Sequence, residues 1–148
     1  MIIATIKGDL ADIYERGGSI AHGCNCHHTM GGLAGFLSRK FPEILEADEE
    51  SQYGNPLKLG TWTKAYGKNG GECFNLYTQF HPGADLRYGA LLDCFMNLNK
   101  LYAVRNPLEN KAIYIPMIGA GLGGGDWDTI YRLIHGHTPQ LDITLVTL

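Results

Sequence analysis

The segment Gly119-Ala120-Gly121-Leu122-Gly123-Gly124-Gly125 places five glycines in seven residues, just after the apolar run Ile115-Pro116-Met117-Ile118 and just before a helix-like pattern at Asp126-Trp127. A strand that ends in a glycine turn and feeds a helix presents unpaired backbone N–H groups and the positive end of a helix dipole to an anion. Glycine lets that anion approach the backbone without a Cβ in the way. A second turn has the same layout: after Ser19-Ile20-Ala21-His22 the chain reads Gly23-Cys24-Asn25-Cys26-His27-His28-Thr29-Met30-Gly31-Gly32-Leu33-Ala34. Together the two loops predict a grip on both ends of a diphosphate, in the crevice outside the carboxyl ends of the strands of an open α/β sheet.

A chain of 148 residues fits one domain, 1–148, that buries about two thirds of the surface its unfolded form exposes. A net charge of −3 with 12 Lys and Arg and no basic cluster argues against stable nucleic-acid binding by phosphate neutralisation. Binding of a small anion through backbone amides is compatible with it. The start of the chain, Met1-Ile2-Ile3-Ala4-Thr5-Ile6-Lys7-Gly8, carries no charged leader, and no apolar run approaches the roughly 20 residues of a membrane span. The expectation is a cytoplasmic protein with no membrane partner. Cys24, Cys26, Cys73 and Cys94 are too scattered for a disulfide framework and are expected to be reduced.

Elements alternate along the chain. Ile2 to Ile6 and Ile20 to His22 are short β-branched runs ending at Gly8-Asp9 and Gly23, and both predict strands. Leu33, Phe36, Leu37 and Phe41 fall at helical spacing, with Pro42 limiting the helix. The acidic stretch Glu43 to Glu50 predicts a mostly solvated helix face. Thr61 to Tyr66 and Cys73 to Tyr77, separated by Gly67-Lys68-Asn69-Gly70-Gly71, predict an antiparallel hairpin. The i, i+3, i+4, i+7 repeat of Leu91, Cys94, Phe95, Leu98, Leu101 and Tyr102 predicts a helix over 88–104. A buried strand over Ala112 to Ile115, a helix from Asp126 to Ile134 and a strand carrying Leu141, Ile143 and Leu145 complete a mixed sheet flanked by helices.

These residues carry a resemblance over essentially the whole chain to the macrodomains, the ADP-ribose-binding family. Within it the chain is most similar to the branch of the yeast-type and phage ADP-ribose-1''-phosphate phosphatases, through Ala21-His22-Gly23-Cys24-Asn25-Cys26, Gly31-Gly32, Phe41-Pro42 and Ile118-Gly119-Ala120-Gly121. It resembles the terminal ADP-ribose protein glycohydrolase branch more distantly, through Gly8-Asp9-Leu10, Met30-Gly31 and Pro116-Met117-Ile118-Gly119. The resemblance implies a three-layer α/β/α fold with a mixed, mostly parallel central sheet. The implied activity is removal of the terminal phosphate of ADP-ribose-1''-phosphate without a metal or other cofactor. The alternatives are a non-catalytic ADP-ribose-binding module and a hydrolase of ADP-ribosyl or O-acyl-ADP-ribose adducts.

The same resemblance distributes roles. It makes Asp9 the acceptor of the adenine amino group, with Leu10 adding a backbone contact; as a plain sequence feature Asp9 caps the helix that follows. It makes Asn25 the holder of the distal ribose hydroxyls, where the local alternative is an Asn bonding its own turn. Gly31, Gly32, Leu33 and Ala34 would lie against the distal ribose and phosphate, and Gly119, Ala120, Gly121, Leu122 and Gly123 would wrap the diphosphate with backbone donors. His22 matches the histidine implicated in the phosphatase branch, where an imidazole can protonate the leaving anomeric oxygen or orient water. His81, in Gln79-Phe80-His81-Pro82-Gly83, is a second catalytic candidate on the same rim, and Asp126 is better read as a helix cap.

Departures limit what carries over. The glycohydrolase branch uses a lysine in its first helix and an aspartate in its second loop; the aligned positions here are Ser38, next to Arg39 and Lys40, and Gly123. Without that pair a lysyl-sugar route loses its nucleophile and its acid. Val146 stands where relatives often place an aromatic against the adenine, a loss of about 1 kcal/mol of stacking. Cys24, Cys26, His27 and His28 lack a second ligand pair at zinc-site spacing and are assigned to packing and the turn rather than to a metal.

Overall fold

The computed structural model describes residues 1–148. Six strands, β1 (Ile2–Lys7), β2 (Ile20–Cys24), β3 (Trp62–Tyr66), β4 (Glu72–Tyr77), β5 (Ala112–Ile115) and β6 (Asp142–Thr147), form one sheet in the order β1-β6-β5-β2-β4-β3. All neighbours are parallel except β3 and β4, whose antiparallel pairing is the predicted hairpin. Five helices surround it: α1 (Leu10–Glu15), α2 (Gly32–Lys40), α3 (Pro42–Glu49), α4 (Tyr88–Ala103) and α5 (Trp127–His137).

The sheet separates two cores. On one face, Leu91, Cys94, Phe95 and Leu98 of α4 and Ile130 and Ile134 of α5 pack on Ala21, Phe74, Leu76, Ile113, Ile115, Ile143 and Leu145. On the other, Leu10, Ala11 and Tyr14 of α1, Leu37 of α2 and Ile44 of α3 pack on Ile20, Ala65, Cys73 and Val146. Strand residues alternate between the two sets because successive side chains point to opposite faces, so buried parallel strands read as nearly continuous apolar runs. The result is the three-layer α/β/α arrangement with a mixed, mostly parallel sheet.

Two sequence expectations change in detail. β2 runs two residues past His22, to Cys24, because its pairing with β4 continues through Gly23 opposite Leu76 and Cys24 opposite Tyr77. The acidic stretch is helix α3, but Ile44 is fully buried and Asp48 is 1% exposed, so it has a buried side as well as a solvated one. No helix is long and apolar enough to cross a membrane.

Candidate functional site

Parallel strands all end on the same edge of the sheet, so the turns after β2, β4 and β5 meet there. They enclose a pocket of about 350 Å³ whose floor is His22, Gly23 and Ile118 and whose walls are the 25–34 and 116–123 segments, with Thr78, Gln79, Pro82 and Gly83 at one end. No lysine or arginine lines it. A Cβ on Gly23 would stand 3.0 Å from Thr78 Oγ1 and 3.2 Å from Ile118 Cγ2, so any larger residue would fill the floor.

The walls are backbone donors. Helix α2 begins at Gly32 after Gly31, which offers no side-chain cap, and the N–H groups of Gly31, Gly32, Leu33 and Ala34 donate to no group of the protein. An uncapped N-terminus leaves its first amides and its dipole to an anion. Opposite, the N–H groups of Gly119, Gly121, Leu122 and Gly123 also have no protein acceptor. The fifth expected donor differs: Ala120 N–H closes a turn onto Met117 O, and Ala120 lies outside the pocket lining. The helix that follows the glycine loop is not the anion-facing one either. Asp126 caps α5, its Oδ2 accepting from Thr129 N at 3.0 Å, and these Thr129 bonds hold its carboxyl below the usual range. The first-helix amides that face the pocket belong to α2. Gly32 sits at φ +54, with Leu122 Cδ1 close enough to touch a Cβ there at 2.9 Å, so the two walls meet over the pocket.

His22 lies at the floor, 1% exposed. Asn75, its register partner on β4, donates its amide nitrogen to Ile44 O and Thr63 Oγ1, both at 3.1 Å. Its carbonyl oxygen therefore faces His22 Nε2 at 2.6 Å, and Nε2–H donates to it. Nδ1 is left as the acceptor, 3.8 Å from Cys24 Sγ. Burial pushes the imidazole down to about 4, with the Asn75 bond and the Asp48 charge opposing that shift. At neutral pH His22 is an uncharged ring held through Nε2, with the Cys24 sulfur 3.8 and 3.9 Å from its two nitrogens. Burial likewise raises the Cys24 thiol well above its ordinary range, so it is no thiolate nucleophile.

The remaining predicted residues divide. Leu33, Ala34, Asn25 and the glycines line the pocket, but the Asn25 side chain is used inside its own turn, accepting from His27 N at 2.9 Å and donating to Thr29 O at 2.7 Å. Asp9 caps α1, accepting from Ala11 N at 2.9 Å; it and Leu10 follow β1 and do not line the pocket. His81 stands on the rim after β4, exposed. Lys40 is at the far end of α2 with Nζ 3.7 Å from Glu15, and the Ser38 hydroxyl donates to Gly35 O. Cys26, His27 and His28 take separate partners in the turn: Cys26 Sγ reaches Gln79 O, His27 Nδ1 reaches Phe80 O, and His28 Nδ1 reaches Asp48 Oδ2 at 3.1 Å.

That last pair is invisible in the sequence. Asp48, from α3, also accepts from Tyr77 OH at 2.7 Å, and it ties down the wall loop through His28, the only non-glycine residue with positive φ, +56. Such a backbone conformation costs an L-residue about 1–2 kcal/mol and persists where its surroundings enforce it.

No protein-family profile matches the chain. It is 44% identical over 151 residues to an uncharacterized 17.5 kDa protein from the tk-vs intergenic region of Enterobacteria phage T4, covering 99% of this chain and 96% of that one. Among solved structures, a protein of unknown function from Bacteroides thetaiotaomicron superposes with a TM-score of 0.80 at 25% identity, over 100% of this chain and 98% of that one. The macrodomain of Mycobacterium tuberculosis DarG does so with a TM-score of 0.77 at 21% identity, over 100% and 98%. A Trypanosoma brucei macrodomain in complex with ADP-ribose gives 0.70 at 19% identity, over 98% of this chain and 62% of that one. The chain belongs to the family of the phage T4 17.5 kDa protein, and its fold is that of the macrodomains.

Proposed function

We propose that this protein binds ADP-ribose and hydrolyses ADP-ribose-1''-phosphate to ADP-ribose and inorganic phosphate. The observation that carries the reading is the pair of facing amide walls, α2's uncapped first turn and Gly119 to Gly123, across a pocket with no lysine or arginine. A diphosphate fits that arrangement, since backbone donors carry their partial charge at no cost in side-chain ordering. The Trypanosoma brucei macrodomain, of the same fold, is known in complex with ADP-ribose.

In this reading the adenine lies near Asp9 and Leu10, beyond the lined pocket, and the distal ribose near Asn25, whose amide exchanges its bonds within the turn for ribose hydroxyls. Water attacks phosphorus, the bond from phosphorus to the anomeric oxygen breaks, that oxygen takes up a proton, and the attacking water leaves one hydrogen on the phosphate and releases the other to solvent. Amides of the α2 turn stabilise the charge on the non-bridging oxygens. His22, uncharged and fixed by Asn75, orients the floor rather than supplying a proton, and the rim imidazole of His81 is the proton donor. Phosphate release from ADP-ribose-1''-phosphate by purified protein, in the presence of a chelator, tests the reading. Release above the uncatalysed control supports it. Absence of release, with ADP-ribose still bound in calorimetry, favours a non-catalytic ADP-ribose module, a reading to which the burial of His22 and its Nε2 bond to Asn75 lend support. Hydrolysis of ADP-ribosyl adducts through a lysine is disfavoured by the position of Lys40 at the far end of α2.

A further inference from the structure

The strand order fixes an order of groups along the carboxyl edge of the sheet. Asp9 follows β1, Pro116 to Gly119 follow β5, Asn25 follows β2, and Thr78 to His81 follow β4. A dinucleotide with its adenine toward Asp9 and its diphosphate between the amide walls has its distal ribose at β2. Whatever its anomeric carbon carries then extends over the end of β4.

Rings gather at that place. His27 and His81 stack with centroids 5.5 Å apart and planes at 9°. Phe80 stands edge-on to both, at 4.7 and 4.8 Å, and Tyr53, 70% exposed, stands edge-on to His27 at 5.3 Å. Asn25, two residues before His27, and Gln79 and Pro82, beside Phe80 and His81, line the pocket, so the shelf adjoins the pocket's end. Removal of a phosphate uses neither Tyr53 nor His27.

The chemistry of the shelf selects its occupant. Amides at the start of the β4–α4 loop would suit an anion, but Phe80 N and His81 N already donate to Asp85 Oδ2 at 3.2 and 2.8 Å. Arg87 is bound to the same carboxylate at 3.1 and 3.2 Å, and His27 Nδ1–H donates to Phe80 O at 2.8 Å. What remains available is the outer ring faces of the exposed His81 and Tyr53, which attract a flat ring, uncharged or cationic. We propose that His27, Tyr53, Phe80 and His81 form a stacking subsite for a planar, uncharged or cationic ring carried on the distal ribose of the bound dinucleotide. The proposal rests on the ADP-ribose reading of the pocket.

Calorimetric titration of the whole protein with ADP-ribose and with each anomer of NAD⁺, whose pyridinium is such a ring on the distal anomeric carbon, tests it. At least one anomer is expected to bind as tightly as ADP-ribose or more tightly. Tyr53→Ala and His81→Ala should each weaken that anomer about five-fold or more, the lower end of the range for loss of an aromatic stacking partner. His81→Phe, which keeps a ring, should restore most of the loss, and Tyr53→Ala should leave ADP-ribose affinity within about two-fold. Wild-type protein that binds ADP-ribose but both anomers more than about ten-fold more weakly overturns the subsite alone. So does an unchanged NAD⁺ affinity in both alanine variants, or an equal loss for ADP-ribose in Tyr53→Ala. Failure of the wild type to bind ADP-ribose overturns the pocket reading and the subsite with it.

Discussion

Substituting Gly32 by Ala separates the backbone of the site from its side chains. Gly32 occupies φ +54, a conformation that costs an L-residue about 1–2 kcal/mol, and its new Cβ would meet Leu122 Cδ1 at 2.9 Å. Leu122 is 74% exposed and can swing aside, so the stability loss is set mainly by the dihedral. For a chain of this size about 1–2 kcal/mol lowers the melting temperature by roughly 2–8 °C. If Ala instead relaxes to negative φ, the Gly32 amide turns away from the pocket. Losing one hydrogen bond to a charged group costs about 1.5–3 kcal/mol, or roughly 10- to 150-fold in affinity. Gly31→Ala is the control for backbone strain: Gly31 sits at φ −120 and its Cβ would meet no protein atom, so only a capping difference is expected in its melting temperature. Thermal melts and calorimetry with ADP-ribose on both variants read the two effects. A Gly32→Ala protein that melts lower yet binds ADP-ribose like the wild type would refute the assignment of this turn to the ligand.

Further outcomes follow from the buried imidazole and the cap. His22 is held at about 4 in the folded protein against about 6.5 unfolded, so the unfolded state binds the extra proton first. Its contribution is complete above about pH 6.5 and is lost as the pH falls toward 4, about 3 kcal/mol in all. Urea midpoints at pH 7 and pH 4 should show that loss, and His22→Gln should reduce it; an equal drop in the variant would show that other groups carry it. Asp9→Ser keeps an N-cap oxygen for Ala11 N but removes the carboxylate, so it should hold stability within about 0.5 kcal/mol while weakening ADP-ribose binding; unchanged affinity in titrations would remove Asp9 from adenine recognition.

Elements whose periodicity repeats within one segment were legible from the chain: α4 from its i, i+3, i+4, i+7 apolar set, β5 from Ala112 to Ile115, and the β3–β4 hairpin from its glycine-rich turn. So were the two glycine turns, because a run of residues without side chains at a strand end has few structural uses. Asp126 was read as a cap and is one. The sequence misplaced what depends on partners far along the chain. Nothing local told that Ala120's amide would close a turn, that the first amides of α2 would face the pocket, or that Asp48 of an acidic helix would be buried under His28 and Tyr77. For His22, residue type and strand-end position suggest acid–base chemistry, and only the register of β2 on β4 sets Asn75 opposite it and holds its Nε2. Local propensity and apolar spacing therefore determined the elements and the glycine-lined mouth. Strand order and register, which come from burying both faces of one sheet between two helix layers, decided which amides stay free, which imidazole stays exposed and in what order the groups stand along the pocket.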